Sequence, residues 1–63
     1  MMGSLLSDYP PLLLRSEVAE ILRVSVSTLS RWARDGLGPE CLYLSEGSPR
    51  YTKGSVIDYL TGL

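Results

Sequence analysis

Arg31 and Arg34 stand three residues apart, with the hydroxyl pair Ser27-Thr28 just before them and Trp32 between them. An arginine fork matches the O6 and N7 edge of guanine or two oxygens of one phosphate, and small hydroxyl residues let a helix approach closely. At 100° per residue Ser27, Arg31 and Arg34 fall within an arc of about 60°, opposite Leu29 and Ala33. The duller reading of that arc is a solvated face. Other chemistries start from a weaker base. The chain has no histidine and one cysteine, Cys41. The commonest general base is therefore missing, along with the dyads and triads built on it. No intramolecular disulfide and no His/Cys metal cluster is expected either. Catalytic residues, cofactor and metal ligands are all expected to be none.

The elements that would hold this arc fit one small domain. A chain of 63 residues buries only about 60% of the surface its unfolded form exposes, so its core is marginal. Apolar content of 44% with 21% charge suits a globular domain rather than a disordered tail. No apolar run approaches a membrane span, and no basic residue precedes Arg15 to open a signal peptide. Met1-Met2-Gly3 does not place glycine second, as a myristoylation signal needs. A cytoplasmic protein without a membrane partner is expected. The net charge of −1 is unlike the basic footprint of most nucleic-acid binders. Its distribution is more telling, because all six basic residues lie between Arg15 and Lys53.

Residues 1–11 lack periodicity and end in Tyr9-Pro10-Pro11, which favours extended backbone. They read as an arm with a disordered tip, and the domain proper as 12–63. Leu12-Leu13-Leu14 fits a strand or a hydrophobic plug. Ser16 is placed as the N-cap of a helix over Glu17–Leu22, with Val18, Ile21 and Leu22 as its apolar stripe. After the short break Arg23-Val24, Ser25 caps a second helix over Val26–Asp35, which Gly36 stops in left-handed conformation. Leu29, Ala33 and Val26 form its core stripe. Trp32 borders that stripe, which favours packing over base stacking. Cys41–Leu44 and Arg50–Thr52 read as strands of a hairpin with Ser45–Pro49 as its loop. Thr52 caps a last helix to Leu60, with Val56, Ile57 and Leu60 facing inward. Cys41, with no cationic neighbour in sequence, reads as a small buried hydrophobe. Tyr51 is compatible with phosphate contact or with packing.

A short helix, a tight turn and a second helix with an arginine face make a helix-turn-helix pattern, whose second helix can enter the major groove. The hairpin that follows lies where a wing would meet the backbone, with Arg50 and Lys53 in that stretch. The fold class expected is small α+β, mostly α: a winged helix-turn-helix with a two-stranded hairpin wing and a short C-terminal helix.

The run from Arg15 to Trp32, RSEVAEILRVSVSTLSRW, resembles the excisionase-type branch of the MerR-like winged-helix DNA-binding family. Gly38-Pro39, the hairpin and Arg50-Tyr51 leading to Val56 and Tyr59-Leu60 continue the pattern, so the likeness covers roughly residues 12–60. It resembles small phage excisionases (recombination directionality factors), those of mycobacteriophages in particular, more than whole MerR regulators. Arg23 departs from the pattern, which often has glycine there. The resemblance implies binding to double-stranded DNA, assembly of neighbouring copies, DNA bending, and a phage integrase as partner within a bacterial host. The site residues expected at DNA are Arg15, Ser16, Ser25, Ser27, Thr28, Arg31, Arg34, Arg50 and Lys53.

Two other functions fit the same residues. One is a small winged-helix transcriptional regulator. The other belongs to a different class, a protein-interaction module without DNA binding. The stretch from Arg15 to Lys53 is near neutral, because Glu17, Glu20, Asp35, Glu40 and Glu46 offset its cations. Neutralising about four phosphates would give a salt slope of about −3.6, modest for a specific binder. Weak single contacts favour copies acting in rows.

Overall fold

The apolar run Leu12–Leu14 is a strand, β1, in the computed structural model of the chain, which describes Leu6 and residues 8–62. It leads directly into α1 (Arg15–Leu22), followed by α2 (Val26–Asp35), β2 (Leu42–Tyr43), β3 (Pro49–Thr52) and α3 (Lys53–Leu60). The expected two-stranded wing is thus extended into a three-stranded antiparallel sheet of order β1-β3-β2. Leu12, Leu13 and Leu14 pair with Thr52, Tyr51 and Arg50, while Leu42 and Tyr43 pair with Arg50 and Pro49. Directly paired residues share a sheet face. Leu13 and Tyr51 therefore point inward together, both 0% exposed. Leu14, Arg50 and Leu42 form a row on the outer face.

Inside, Leu6, Leu13, Val18, Ala19, Leu29, Tyr51 and Val56 make one buried cluster. Tyr9, Ile21, Leu22, Val24, Trp32, Cys41 and Ile57 pack around it. Each large side chain buried this way contributes about 1.5–3 kcal/mol. Leu6 belongs to that core although it lies within the expected arm, and Tyr9 donates its amide to the Leu6 carbonyl at 3.1 Å. The expectation of a disordered tip falls on residues outside those described. Tyr51 is settled as a core residue rather than a phosphate ligand.

Local chemistry explains where the helices begin. The first starts two residues earlier than the sequence suggests, and Ser16 is not its cap. The Glu17 carboxylate accepts the Leu14 amide at 2.8 Å, so Leu14 occupies the N-cap position and exposed Ser16 lies in the first turn. A carboxylate placed there also complements the helix dipole. Ser25 caps α2 as expected, its Oγ accepting the Thr28 amide at 3.0 Å. Thr52 likewise caps α3, accepting the Ser55 amide at 3.0 Å.

Helix ends are as specific. Arg23 is left-handed at φ 61°, and the amides of Arg23 and Val24 donate to the carbonyls of Glu20 and Ala19 at 3.2 and 3.0 Å. This is a Schellman stop, which orients the chain for the turn into α2. The same motif closes α2 at Gly36, φ 76°, where Leu37 donates to Trp32 at 2.7 Å. Gly38 then passes so close to Trp32 that a Cβ there would sit 2.8 Å from the ring. The hairpin turns over Leu44–Ser48, one residue earlier than expected, with Gly47 donating to Leu44 at 2.7 Å. Two residues counted as inward are exposed instead, Val26 at 48% and Leu60 at 39%. Each lies at a helix end, beyond the edge of this small core.

An arginine in the left-handed region carries roughly 1–2 kcal/mol of strain, whereas glycine there gives up about 0.5–1 kcal/mol of chain entropy instead. Arg23→Gly should therefore be stabilising, raising Tm by about 2–8 °C. Thermal melting followed by circular dichroism measures this directly. A lower Tm would show that the Arg23 side chain stabilises the fold by more than the strain.

Candidate nucleic-acid interface

The polar face of α2 is built from its N-cap outward. Ser25 Oγ lies 2.8 Å from Thr28 Oγ1, to which it donates, and 3.2 Å from Ser27 Oγ. Three hydroxyls and the free amides of the first helical turn are thereby gathered at one end of α2, where the helix dipole favours an anion. Farther along, Arg31 and Arg34 are exposed, as is Ser27. Leu29 is buried on the opposite side at 1% exposure, with Trp32 and Ala33 half-buried beside it. The segregation read from the sequence is present, and the packing of Leu29 holds the arginine face outward.

Trp32 is accounted for by packing. Its ring lies against Gly38 and is tilted 47° to Tyr59, with centroids 6.3 Å apart. Arg34 makes a loose ion pair with Asp35, Nε to Oδ1 at 3.8 Å, with side chains 74% and 52% exposed. Such a pair is worth little in water, so the Arg34 fork is available to an anionic or base partner.

The other three cations expected at DNA are placed differently from one another. Arg50 is half-buried on the outer sheet face between Leu14 and Leu42, and Nη1 donates to the neighbouring Pro49 carbonyl at 2.8 Å. Lys53 heads α3 and donates from Nζ to the Leu6 carbonyl at 3.0 Å. It ties down the N-terminal segment and is not part of the hairpin. Arg15 turns its fork inward, donating from Nε to Tyr51 Oη at 3.3 Å and from Nη2 to Tyr43 Oη at 3.4 Å. Nη2 also reaches Cys41 Sγ at 3.5 Å, so the thiol has a cation beside it that its sequence neighbours do not reveal. Burial alone would pull the Arg15 guanidinium down, but the bonds to Tyr51, Tyr43 and Cys41 outweigh it and leave the group above the ordinary arginine value. Burial pushes the Tyr51 phenol up, and its bond to Arg15 only partly opposes this. Tyr51 therefore stays neutral and Arg15 charged.

Two residues of this surface escape a reading by residue type. Val26 is an exposed apolar side chain in the first turn of α2, next to Ser27. Helical angle assigns it to the core, and only the position of the core edge corrects that. Tyr43 is the other, 60% exposed with its hydroxyl on Arg15. Alternation sets it on the sheet face opposite Leu42, but only the fold brings Arg15 to its hydroxyl.

Among the described residues no group of acidic, histidine or cysteine side chains is placed to hold a metal. No helix among them is long and apolar enough to cross a membrane. The shallow hollows between the α2–β2 loop and α3 are lined by Pro39, Glu40, Ser55, Asp58 and Tyr59.

No curated protein matches the chain. A family model described as "Helix-turn-helix domain" matches residues 15–63, from the first residue of α1 through the hairpin and α3. That span contains the capped α2 with its outward arginines, and its partner is accordingly DNA. The chain belongs to the helix-turn-helix domain family.

Proposed function

We propose that the protein is an excisionase-type factor: it binds several adjacent sites on attachment-site DNA, bends that DNA and turns an integrase from integration toward excision. The observation that carries the DNA-facing part is the exposed face of α2, where Ser27, Arg31 and Arg34 project opposite buried Leu29. On this reading α2 lies in the major groove. At least one of Arg31 and Arg34 reads a base, and Ser27 and Thr28 set the register. Ser25 and the first-turn amides hold a phosphate, with Ser16 doing the same at the start of α1. Arg50 and Lys53 contact phosphate, each with donors left over from its one bond within the protein. The wing tip carries Glu46, held by Ser48 Oγ at 2.9 Å, so the hairpin meets DNA through its body and not its tip.

The recombination part of the reading rests on charge and on the resemblance stated above. No residue set for cutting and joining DNA is apparent in the sequence, so that chemistry would belong to an integrase. A near-neutral surface makes each single copy a weak binder, and neighbours on DNA then supply the affinity. The arm around Tyr9-Pro10-Pro11, where both prolines are exposed, and the stretch 59–63, where Tyr59 and Leu60 are exposed, are candidate contacts between copies. Bending a site by 40–90° costs on the order of 1–6 kcal/mol, which several copies share more readily than one.

Three measurements test this reading. Arg31→Ala should weaken specific binding about tenfold or more, since a bidentate arginine–guanine contact is worth about 1–3 kcal/mol. The circular dichroism spectrum should stay that of the folded domain. Unchanged affinity in both Arg31→Ala and Arg34→Ala would remove α2 from the groove. Arg50→Ala and Lys53→Ala should each lower affinity for all sequences and reduce the salt slope by about one unit, leaving base preference intact. A change of base preference at constant affinity would contradict the phosphate assignment. On a fragment with several sites, mobility shift and circular-permutation assays should show cooperative filling and bent DNA. Independent filling of straight DNA would favour the small transcriptional regulator instead.

A further inference from the structure

We propose that Arg15 is a positioning residue for DNA binding: it fixes the β2–β3 hairpin against the two helices and touches no nucleic acid itself. The proposal rests on the reading of that hairpin as the wing. Arg15 is the first residue of α1, yet its three acceptors come from elsewhere. They are Tyr51 in β3, Tyr43 in β2 and Cys41 just before β2, at 3.3, 3.4 and 3.5 Å. One planar group therefore joins the start of the helix pair to both hairpin strands. Its Cζ also lies 6.0 Å from the Tyr51 ring centroid, which keeps the charge beside the aromatic wall.

The hairpin needs such an anchor. Its strand β2 has two residues, paired only with Arg50 and Pro49 of β3, and a ribbon this short is not stable by itself. Burial does little to hold its outer half, where Leu42 is 42% and Tyr43 60% exposed. β3 is fixed from the other side by β1 and by buried Tyr51. Only β2 is left to swing. The hydroxyl of Tyr43 and the thiol of Cys41, both held by Nη2 of Arg15, oppose that motion, alongside the Leu44 amide on the Ser48 carbonyl and Ser55 Oγ on the Glu40 carbonyl. Wing contacts depend on where the hairpin sits relative to α2, so Arg15 controls affinity through geometry.

A phosphate ligand would use the fork outward, and here two of its three nitrogens donate inward. Lysine separates the alternatives. It keeps the positive charge but lacks the planar fork that reaches three acceptors at once. Arg15→Lys, Arg15→Gln and Tyr43→Phe would be compared with wild type by mobility shift on specific duplex, at a temperature where each is folded by circular dichroism. Backbone amide shifts of residues 41–51 would be recorded on the free proteins. Arg15→Lys and Arg15→Gln should both weaken binding roughly five- to tenfold, and Tyr43→Phe about two- to threefold. Tyr43→Phe should add little to Arg15→Gln, because both break the same link. Hairpin shifts should move in all three variants without DNA.

Full rescue by lysine would make Arg15 a phosphate contact and overturn the proposal. Additive effects of Arg15→Gln and Tyr43→Phe would do the same, as would a lowered Tm with unchanged affinity. Tyr43→Phe changes an exposed side chain and keeps the test alive if the Arg15 variants unfold. A wild-type chain that shifted no duplex would overturn the DNA reading along with this one. Hairpin shifts that stayed still in the Arg15 variants, with wild-type binding intact, would overturn this one alone.

Discussion

A buried phenol has to find a partner for its hydroxyl, and in this protein that requirement organises everything around Tyr51. The side chain is fully buried opposite Leu13 on the inner sheet face, and its Oη accepts from Arg15 Nε at 3.3 Å. An unpaired hydroxyl there would lose about 1–3 kcal/mol, a large share of what so small a domain has to spare. One residue thereby links three elements. Its backbone pairs β3 with β1, its ring fills the core beside Val18 and Val56, and its hydroxyl fixes the start of α1. Among the described residues no buried side-chain polar atom lacks a partner.

The second constraint is economy of chain. With few residues to spare between α1 and α2, the angle between the helices is set by backbone hydrogen bonds rather than by a large interface. The Schellman stop at Arg23 and the Ser25 cap follow each other directly, leaving Val24 between them to pack on the core. The chain accepts a left-handed arginine at that point. The strain shows how strongly the turn geometry is required, since nothing in the arginine side chain favours that backbone. Gly36 solves the same problem without strain at the end of α2. Gly38, two residues later, is needed for a different reason, the approach of its backbone to Trp32.

How legible each part is follows from the range of the forces that form it. The second helix reads clearly because cap, stripe and stop are local: Ser25, Leu29 and Gly36 lie within one element and point to one answer. The caps at Thr52 and Ser25 are legible for the same reason. β1 is only half legible: three consecutive leucines fit a strand or a hydrophobic plug, and pairing with β3 is a long-range choice that only the folded core makes. Ser16 misleads as a cap because the Glu17 carboxylate takes the Leu14 amide and so carries the helix start back to Leu14, two residues before Ser16. Val26 and Leu60 are apolar by type, yet the core is too small to reach them. Arg15 is the sharpest case. By residue type it belongs with the DNA contacts, and only the fold brings Tyr43, Cys41 and Tyr51 around its fork.

The same placement changes how charge works in this domain. Six cations and seven acids leave little long-range field to draw DNA in, and the cations are unevenly free. Arg15 is held by the hairpin, Lys53 shares its ammonium with the Leu6 carbonyl, and Arg50 donates to Pro49. Arg31 and Arg34 are exposed on α2, and Arg34 makes only a loose contact to Asp35. An interface of this kind has little sequence-independent attraction relative to its base-reading capacity, because phosphate neutralisation dominates non-specific affinity. On the proposed reading, discrimination per contact is then high while affinity per copy is low. A binder so balanced gains occupancy from neighbours more readily than from further cations. Added cations would strengthen wrong sites as much as right ones, whereas contacts between adjacent copies strengthen only arrays in which every copy is correctly placed.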